Sequence, residues 1–310
     1  MNARPVQGTV AEGFETVRDA FAEVVTAEPS LSAQLAVHVH GRQVVDLWTG
    51  DGVAGDSLLA LYSSGKGAAH LVVALLAQDG VVDLDRPVAH YWPEFAAEGK
   101  SELTLRQLVG HSAGVIGVPG GMSPEELADD RLLARRLADQ RPYWRPGSAY
   151  GYHAFTIGAL TGEVVRRTTG ASLQDVYERR VRVPYGLDFY LGLPEDEEAR
   201  YLPAQPPPPE LQAVADQHAP APDSLPGITF NLNANPPTDL VAYANTRTVR
   251  ALGPADAFGH SGAVGAQSFA DPGSGVAYSY TRRRFSFGGG GGAPENRRLV
   301  AAVMHAAGQH

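Results

Sequence analysis

The 310-residue chain is 44% hydrophobic, carries a formal charge of −9 and contains no cysteine. Those figures support a sizeable core and exclude disulfides, thiol catalysis and Cys-ligated zinc. They also argue against nucleic acid as a partner, since the one basic triplet, Arg282-Arg283-Arg284, reads as a solvated strand end.

Val10, Phe14, Val17, Phe21 and Val24 recur at spacings of three and four, which predicts an amphipathic helix over Gly8 to Glu28. The stretch from Met1 to Phe21 lacks the basic-then-apolar order of a secretory signal. No apolar run is long enough to span a membrane, so a soluble cytoplasmic protein is expected. Two strands, Gln34 to His40 and Gln43 to Trp48, are expected to pair across a Gly41-Arg42 hairpin. An apolar run, Leu58 to Tyr62, then precedes Ser63-Ser64-Gly65-Lys66. Gly67 to Gln78 is rich in Ala, Val and Leu without proline, as suits a buried helix closed by Asp79-Gly80. Val81 to Pro87 reads as an extended crossing.

Further helical patterns occupy Thr104 to His111, Pro124 to Gln140, His153 to Thr169 with Gly170 as C-cap, and Ser172 to Arg182. Ten prolines between Pro203 and Pro237 predict an irregular surface segment over 203–254. Strands are expected at Val264 to Ala270 and Val276 to Thr281, around an Asp271-Pro272-Gly273 turn. A flexible joint at Gly288 to Gly292 and a terminal helix, Pro294 to Ala306, complete the chain. Helix–strand–strand at the front and strand–strand–helix at the back imply an α+β fold in a single domain, 1–310. One antiparallel sheet, about 1–62 and 255–310, is flanked by the terminal helices, and a helical subdomain covers about 63–202.

Ser63 and Lys66, at i and i+3, share a helix face, whereas Ser64 and Lys66 do not, so Ser63 is the better candidate nucleophile. The tetrapeptide alone also fits a capped helix with a surface lysine. A phosphate loop is excluded, because Ala60 stands where its first glycine belongs and Gly67 where a Ser or Thr must bind magnesium. His38 and His40 face one side of a strand but lack an acidic or third histidine neighbour, so neither metal nor cofactor is expected. His111 reads as structural, and His153 as a residue that helps orient a pocket.

Two more stretches join the first motif: Trp144-Arg145-Pro146-Gly147-Ser148-Ala149-Tyr150-Gly151-Tyr152, and Gly259-His260-Ser261-Gly262-Ala263-Val264-Gly265. In this order and at these separations the chain resembles the serine β-lactamase and penicillin-recognising superfamily, most of all the family VIII carboxylesterases. The resemblance spans most of the chain. It is most specific in Tyr91-Trp92-Pro93-Glu94-Phe95, in Gly151-Tyr152-His153-Ala154 and in Gly259 to Pro272.

That resemblance implies a β-lactamase-like fold and hydrolysis of short-chain esters. Ser63 matches the nucleophile and Lys66 its partner. Tyr152 matches the tyrosine of the second motif, since Ile157-Gly158 follow at the family interval, with Tyr150 as fallback. His260-Ser261-Gly262 takes the place of the Lys-Thr-Gly strand, and Trp144 that of a pocket wall. Ala154 replaces the asparagine of β-lactamases, which favours esters. A lysine can act as base only as the neutral amine, the form that burial favours. A phenol can relay the proton to the leaving alcohol, and the backbone N–H groups of Ser63 and Ala263 would hold the oxyanion. Small residues at Gly262 and Ala263 let that backbone approach the substrate.

Two segments depart from the family pattern. The stretch between Trp48 and Ser63 is short, and Asn245 to Arg250 runs almost directly into Gly259, where relatives carry a helical segment. Such trimming opens one pocket wall or exposes an apolar patch that a second copy of the chain, as a homo-oligomer, would cover. The expected function is a serine carboxylesterase acting on a small-molecule ester through a Ser63 acyl-enzyme. An acyltransferase of the same fold and a non-catalytic binding derivative are the alternatives.

Overall fold

The computed structural model describes residues 5–246, 261–287 and 292–309. The chain divides into two compact units. The first comprises Met1–Gly65, Pro194–Asp216 and Ala257–His310, and the second Lys66–Leu193 and Gln217–Asp256.

Alternation of buried and half-buried residues makes strand β2 (Ala33–Val39) the middle of the first unit. It pairs antiparallel with β3 (Arg42–Thr49) on one side and β7 (Val276–Arg282) on the other, so Leu35 lies opposite both Leu47 and Tyr280. β1 (Gln7–Val10) and β6 (Gln267–Asp271) complete a five-stranded antiparallel sheet ordered β1-β3-β2-β7-β6. A separate two-stranded parallel pair joins β4 (Leu58–Leu59) to β5 (Tyr201–Leu202). Helix α1 (Glu15–Ala27) and the terminal helix Asn296–Ala307 pack together, burying Phe14, Val17, Phe21, Leu299 and Val303 with the apolar residues of β2, β3 and β7.

A buried ion cluster ties these layers. Arg282, read from the sequence as part of a solvated strand end, is instead 4% exposed: it donates to Glu28 at 2.6 Å and to Glu295 at 2.7 Å, and Tyr280 donates its hydroxyl to Glu295. Removing one member of such a cluster typically costs about 3–5 kcal/mol, because the remaining charge is left buried.

Three further expectations about this unit are corrected. The first helix starts at Glu15 rather than Gly8, because Gly8 and Gly13 both adopt positive φ and Gln7–Val10 pairs with β3 instead. The β2–β3 hairpin turns at His40 and Gly41, with φ of 48° and 77°, the pattern of a two-residue primed turn. His40 therefore stands in the turn and does not share the strand face of His38. The strand expected from Val264 begins only at Gln267, since Gly262 N–H donates to Ala266 O and Gly265 N–H to Gly262 O, closing a tight turn.

The second unit is helical. Helix α2 (Lys66–Gln78) buries Val72, Val73 and Leu76 in a core shared with Ile157, Leu160 and Val164 of helix Ile157–Thr169, which ends at Gly170 with φ 76°. The expected helix over Pro124 to Gln140 is two, Pro124–Leu127 and Asp130–Asp139. The Asp129 side chain caps the second by accepting from the N–H groups of Arg131 and Leu132. Trp92 and Phe95 are buried with ring centroids 5.0 Å apart. The Arg167 guanidinium lies over Trp92 and pairs with Glu94 and Glu163.

The proline-rich stretch is less irregular than expected, containing the short helices Pro209–Gln217, Leu225–Thr229 and Leu240–Asn245. Pro209 and Pro226 sit in first turns, where a missing N–H costs no hydrogen bond. Among the described residues, no helix is long and apolar enough to cross a membrane.

Candidate active site

Ser63 lies in a 3-10 turn, Tyr62–Gly65, and α2 begins only at Lys66. The pair expected on one α-helical face thus straddles the junction between the 3-10 turn and the helix. Tyr62 adopts φ 50°, a left-handed conformation costing a non-glycine residue on the order of 1–3 kcal/mol. Its ring packs edge-on against Phe285 at 4.8 Å, which helps hold the strained residue in place. Ser64 is fully buried whereas Ser63 is half-buried, so Ser63 is the more accessible hydroxyl.

Lys66 is 2% exposed. Its Nζ donates to the Ala154 carbonyl at 2.9 Å and lies 5.0 Å from the centroid of the Tyr152 ring. The Tyr152 hydroxyl is buried, while Tyr150 is 71% exposed. Lysine and second-motif tyrosine therefore meet within the helical unit, and the tyrosine that meets the lysine is Tyr152.

His111 clamps the segment that carries Tyr152. Its carbonyl accepts from Gly151 N–H at 3.1 Å, and its Nδ1 accepts from His153 N–H at 3.0 Å. Its ring lies 5.2 Å from that of Tyr152, and its own backbone is left-handed, with φ 61°. In the sequence this position is only a helix end. The bonds that define its role join residues about forty positions apart and leave no local pattern.

His153 contacts the Gly151 carbonyl through Nδ1 at 2.6 Å. A carbonyl can only accept, so Nδ1 carries the proton. Burial pushes the imidazole down to about 4, with the Gly151 carbonyl opposing, and His153 is neutral at pH 7. The Trp144 indole covers Gly151, where a Cβ would stand 2.2 Å from the ring. Trp144 thus shapes the backbone leading into Tyr152.

In the third motif, His260 falls outside the described residues, as does the trimmed passage expected before Gly259. Ser261 bridges to Gln267. A Cβ on Gly262 would stand 2.1 Å from the Leu61 carbonyl oxygen, so this glycine is required where the Gly262–Ala266 turn runs against the backbone leading into Ser63. The first and third motifs therefore meet within the sheet unit, with Ala263 at the tip of that turn. Among the described residues, no group of three or more His, Asp or Glu is arranged to hold a metal ion.

A sequence profile described as Beta-lactamase matches residues 17–305. The chain belongs to the beta-lactamase family. Among its relatives is Esterase/beta-lactamase LipL of Mycobacterium tuberculosis, 34% identical over 199 residues, 62% of this chain and 46% of LipL. The chain spans about half the length of the curated relatives it matches. Solved structures of the family include EstA from Arthrobacter nitroguajacolicus, with TM-score 0.88 and 32% identity over 98% of this chain and 99% of that one. A family VIII carboxylesterase matches with TM-score 0.78 and 31% identity over 97% and 100%. The α+β, β-lactamase-like architecture expected from the motifs is thus the fold of the chain.

Proposed function

We propose that the protein is a serine carboxylesterase that hydrolyses small or short-chain carboxylic esters through an acyl-enzyme on Ser63. The observation that carries this reading is Lys66, a buried amine held on the Ala154 carbonyl and aimed over the Tyr152 ring, three residues after the half-buried Ser63. Lys66, with Tyr152 as relay, takes the Ser63 proton as Oγ bonds to the ester carbonyl carbon. The oxyanion is held by the N–H groups of Ser63 and Ala263. A donor of this kind is worth about 3 kcal/mol in the transition state. Collapse breaks the carbon–oxygen bond to the alcohol, which leaves with a proton delivered by Tyr152. Water then repeats the sequence on the acyl-enzyme, releasing the acid and restoring the Ser63 hydroxyl.

Esters are favoured over β-lactams because Ala154 offers only its backbone, which is engaged with Lys66. Relatives above 30% identity that carry the names EstA and family VIII carboxylesterase support the same choice. His260, Ser261, Gly262 and Trp144 are assigned to substrate binding. A fluorophosphonate probe followed by peptide mass spectrometry tests the reading: the label is expected on Ser63, and a label on any other serine overturns it.

A further inference from the structure

We propose that Phe230 is the wall against which the alcohol half of the ester packs, so that the chain favours esters of bulky, apolar alcohols. The inference rests on the hydrolase reading above and adds a residue that no motif contains. Phe230 remains 43% exposed, an unusual state for phenylalanine, and its ring lies 6.4 Å from that of Tyr152, inclined by 52°.

That exposure is built in by its surroundings. Asn231, the next residue, is fully buried with φ 60°, a left-handed conformation that asparagine tolerates better than most residues. Its Oδ1 accepts from Met122 N–H at 2.7 Å, and its Nδ2 donates to Met122 O at 2.8 Å and to Thr238 Oγ1. Asn233 Nδ2 adds a bond to Val118 O at 3.0 Å. Two glycines make room for the attachment. A Cβ on Gly117 would stand 2.8 Å from Ile228 Cγ2, and one on Gly121 2.5 Å from Ala234 Cα. The segment 228–234 is therefore fastened to 117–122, and the reversal at Asn231 fixes an aromatic ring in solvent beside Tyr152.

The alcohol half is singled out by the proton it must receive. Tyr152 delivers that proton, so the leaving oxygen lies within hydrogen-bond reach of its hydroxyl, about 3 Å. Whatever is attached to that oxygen extends past the tyrosine. A second ring at aromatic packing distance from Tyr152 is placed to meet it.

The test measures kcat/KM for ethyl, phenyl and naphthyl acetate, and for p-nitrophenyl acetate, butyrate and hexanoate, in the unaltered protein, Phe230→Ala and Phe230→Leu. Phe230→Ala is expected to lower the naphthyl-to-ethyl ratio about tenfold, as loss of one aromatic contact implies. Phe230→Leu should lower it less, and ratios along the acyl series should stay within about twofold. Equal losses across both series, or a change confined to the acyl series, overturn the proposal. If Ser63→Ala retains turnover, the hydrolase reading fails first. If Ser63 is essential and the alcohol ratio does not move, only the role of Phe230 fails.

Discussion

The chain has two lysines, both buried in the helical unit in similar surroundings. Lys66 donates to the Ala154 carbonyl at 2.9 Å, and Lys100 to the carbonyls of Ala97 at 2.7 Å and Gln140 at 2.8 Å. Each Nζ stands over an aromatic ring, that of Tyr152 at 5.0 Å and that of Phe95 at 5.3 Å. Burial pushes the Lys100 ammonium below its usual range, with Glu98 and Asp139 opposing. A buried amine resting on carbonyls is thus a structural device in one place. In the proposed mechanism it becomes a base in the other, because the ring beneath it carries a hydroxyl and a serine precedes it.

Removing the amine or the alcohol breaks this comparison most severely. Ser63→Ala and Lys66→Met are each expected to cut p-nitrophenyl acetate turnover by roughly four orders of magnitude or more, with the fold checked by circular dichroism. The double variant should be no worse than either single one, since groups acting as a unit are not additive. Tyr152→Phe leaves a ring without a hydroxyl beside Lys66, as beside Lys100, and turnover should fall by about 10² to 10⁴. Tyr150→Phe, at an exposed ring, should change it by less than about twofold. If Tyr150→Phe proves the crippling change instead, the second-motif tyrosine shifts by two residues.

His153 sharpens the comparison through pH. Its folded-state value of about 4 lies below the ordinary 6.5, so the unfolded chain takes up a proton that the folded chain refuses. The stability this contributes is fully present above about pH 6.5 and is lost as pH falls towards 4, in all about 3 kcal/mol. Urea unfolding at about pH 7 and pH 4 should show a smaller loss in His153→Gln; an unchanged loss would assign the acid sensitivity to other groups. Lys100→Met is the mildest case. It takes the amine from the Gln140 carbonyl, while Ala97 O keeps the Lys100 backbone N–H, and should cost about 1–3 kcal/mol of stability while leaving kcat within about twofold. A loss of turnover matching that of Lys66→Met would erase the distinction between the two lysines.

Much of this arrangement is legible in the residues themselves. The alternation of β2 and the three-and-four spacing of α1 each bury a face against a core, and that requirement writes a period into a local stretch. Strand β1 escaped such reading because it offers four residues whose pairing with Thr9↔Asp46 and its neighbours depends on a distant segment. The helices within the proline-rich stretch escaped for a different reason. Proline bars a helix interior but not its first turn, so counting prolines overstates the irregularity.

Residue order alone determined the family and its three motifs, because each motif is a contiguous run whose chemistry can be read in place. The packed chain decided which tyrosine meets Lys66, that His111 clamps it and that Asn231 holds Phe230 beside it. Each of those contacts joins residues far apart in the chain. Hydrogen bonds across such separations form only once the intervening chain has folded, so they leave no periodic trace in the residues that make them.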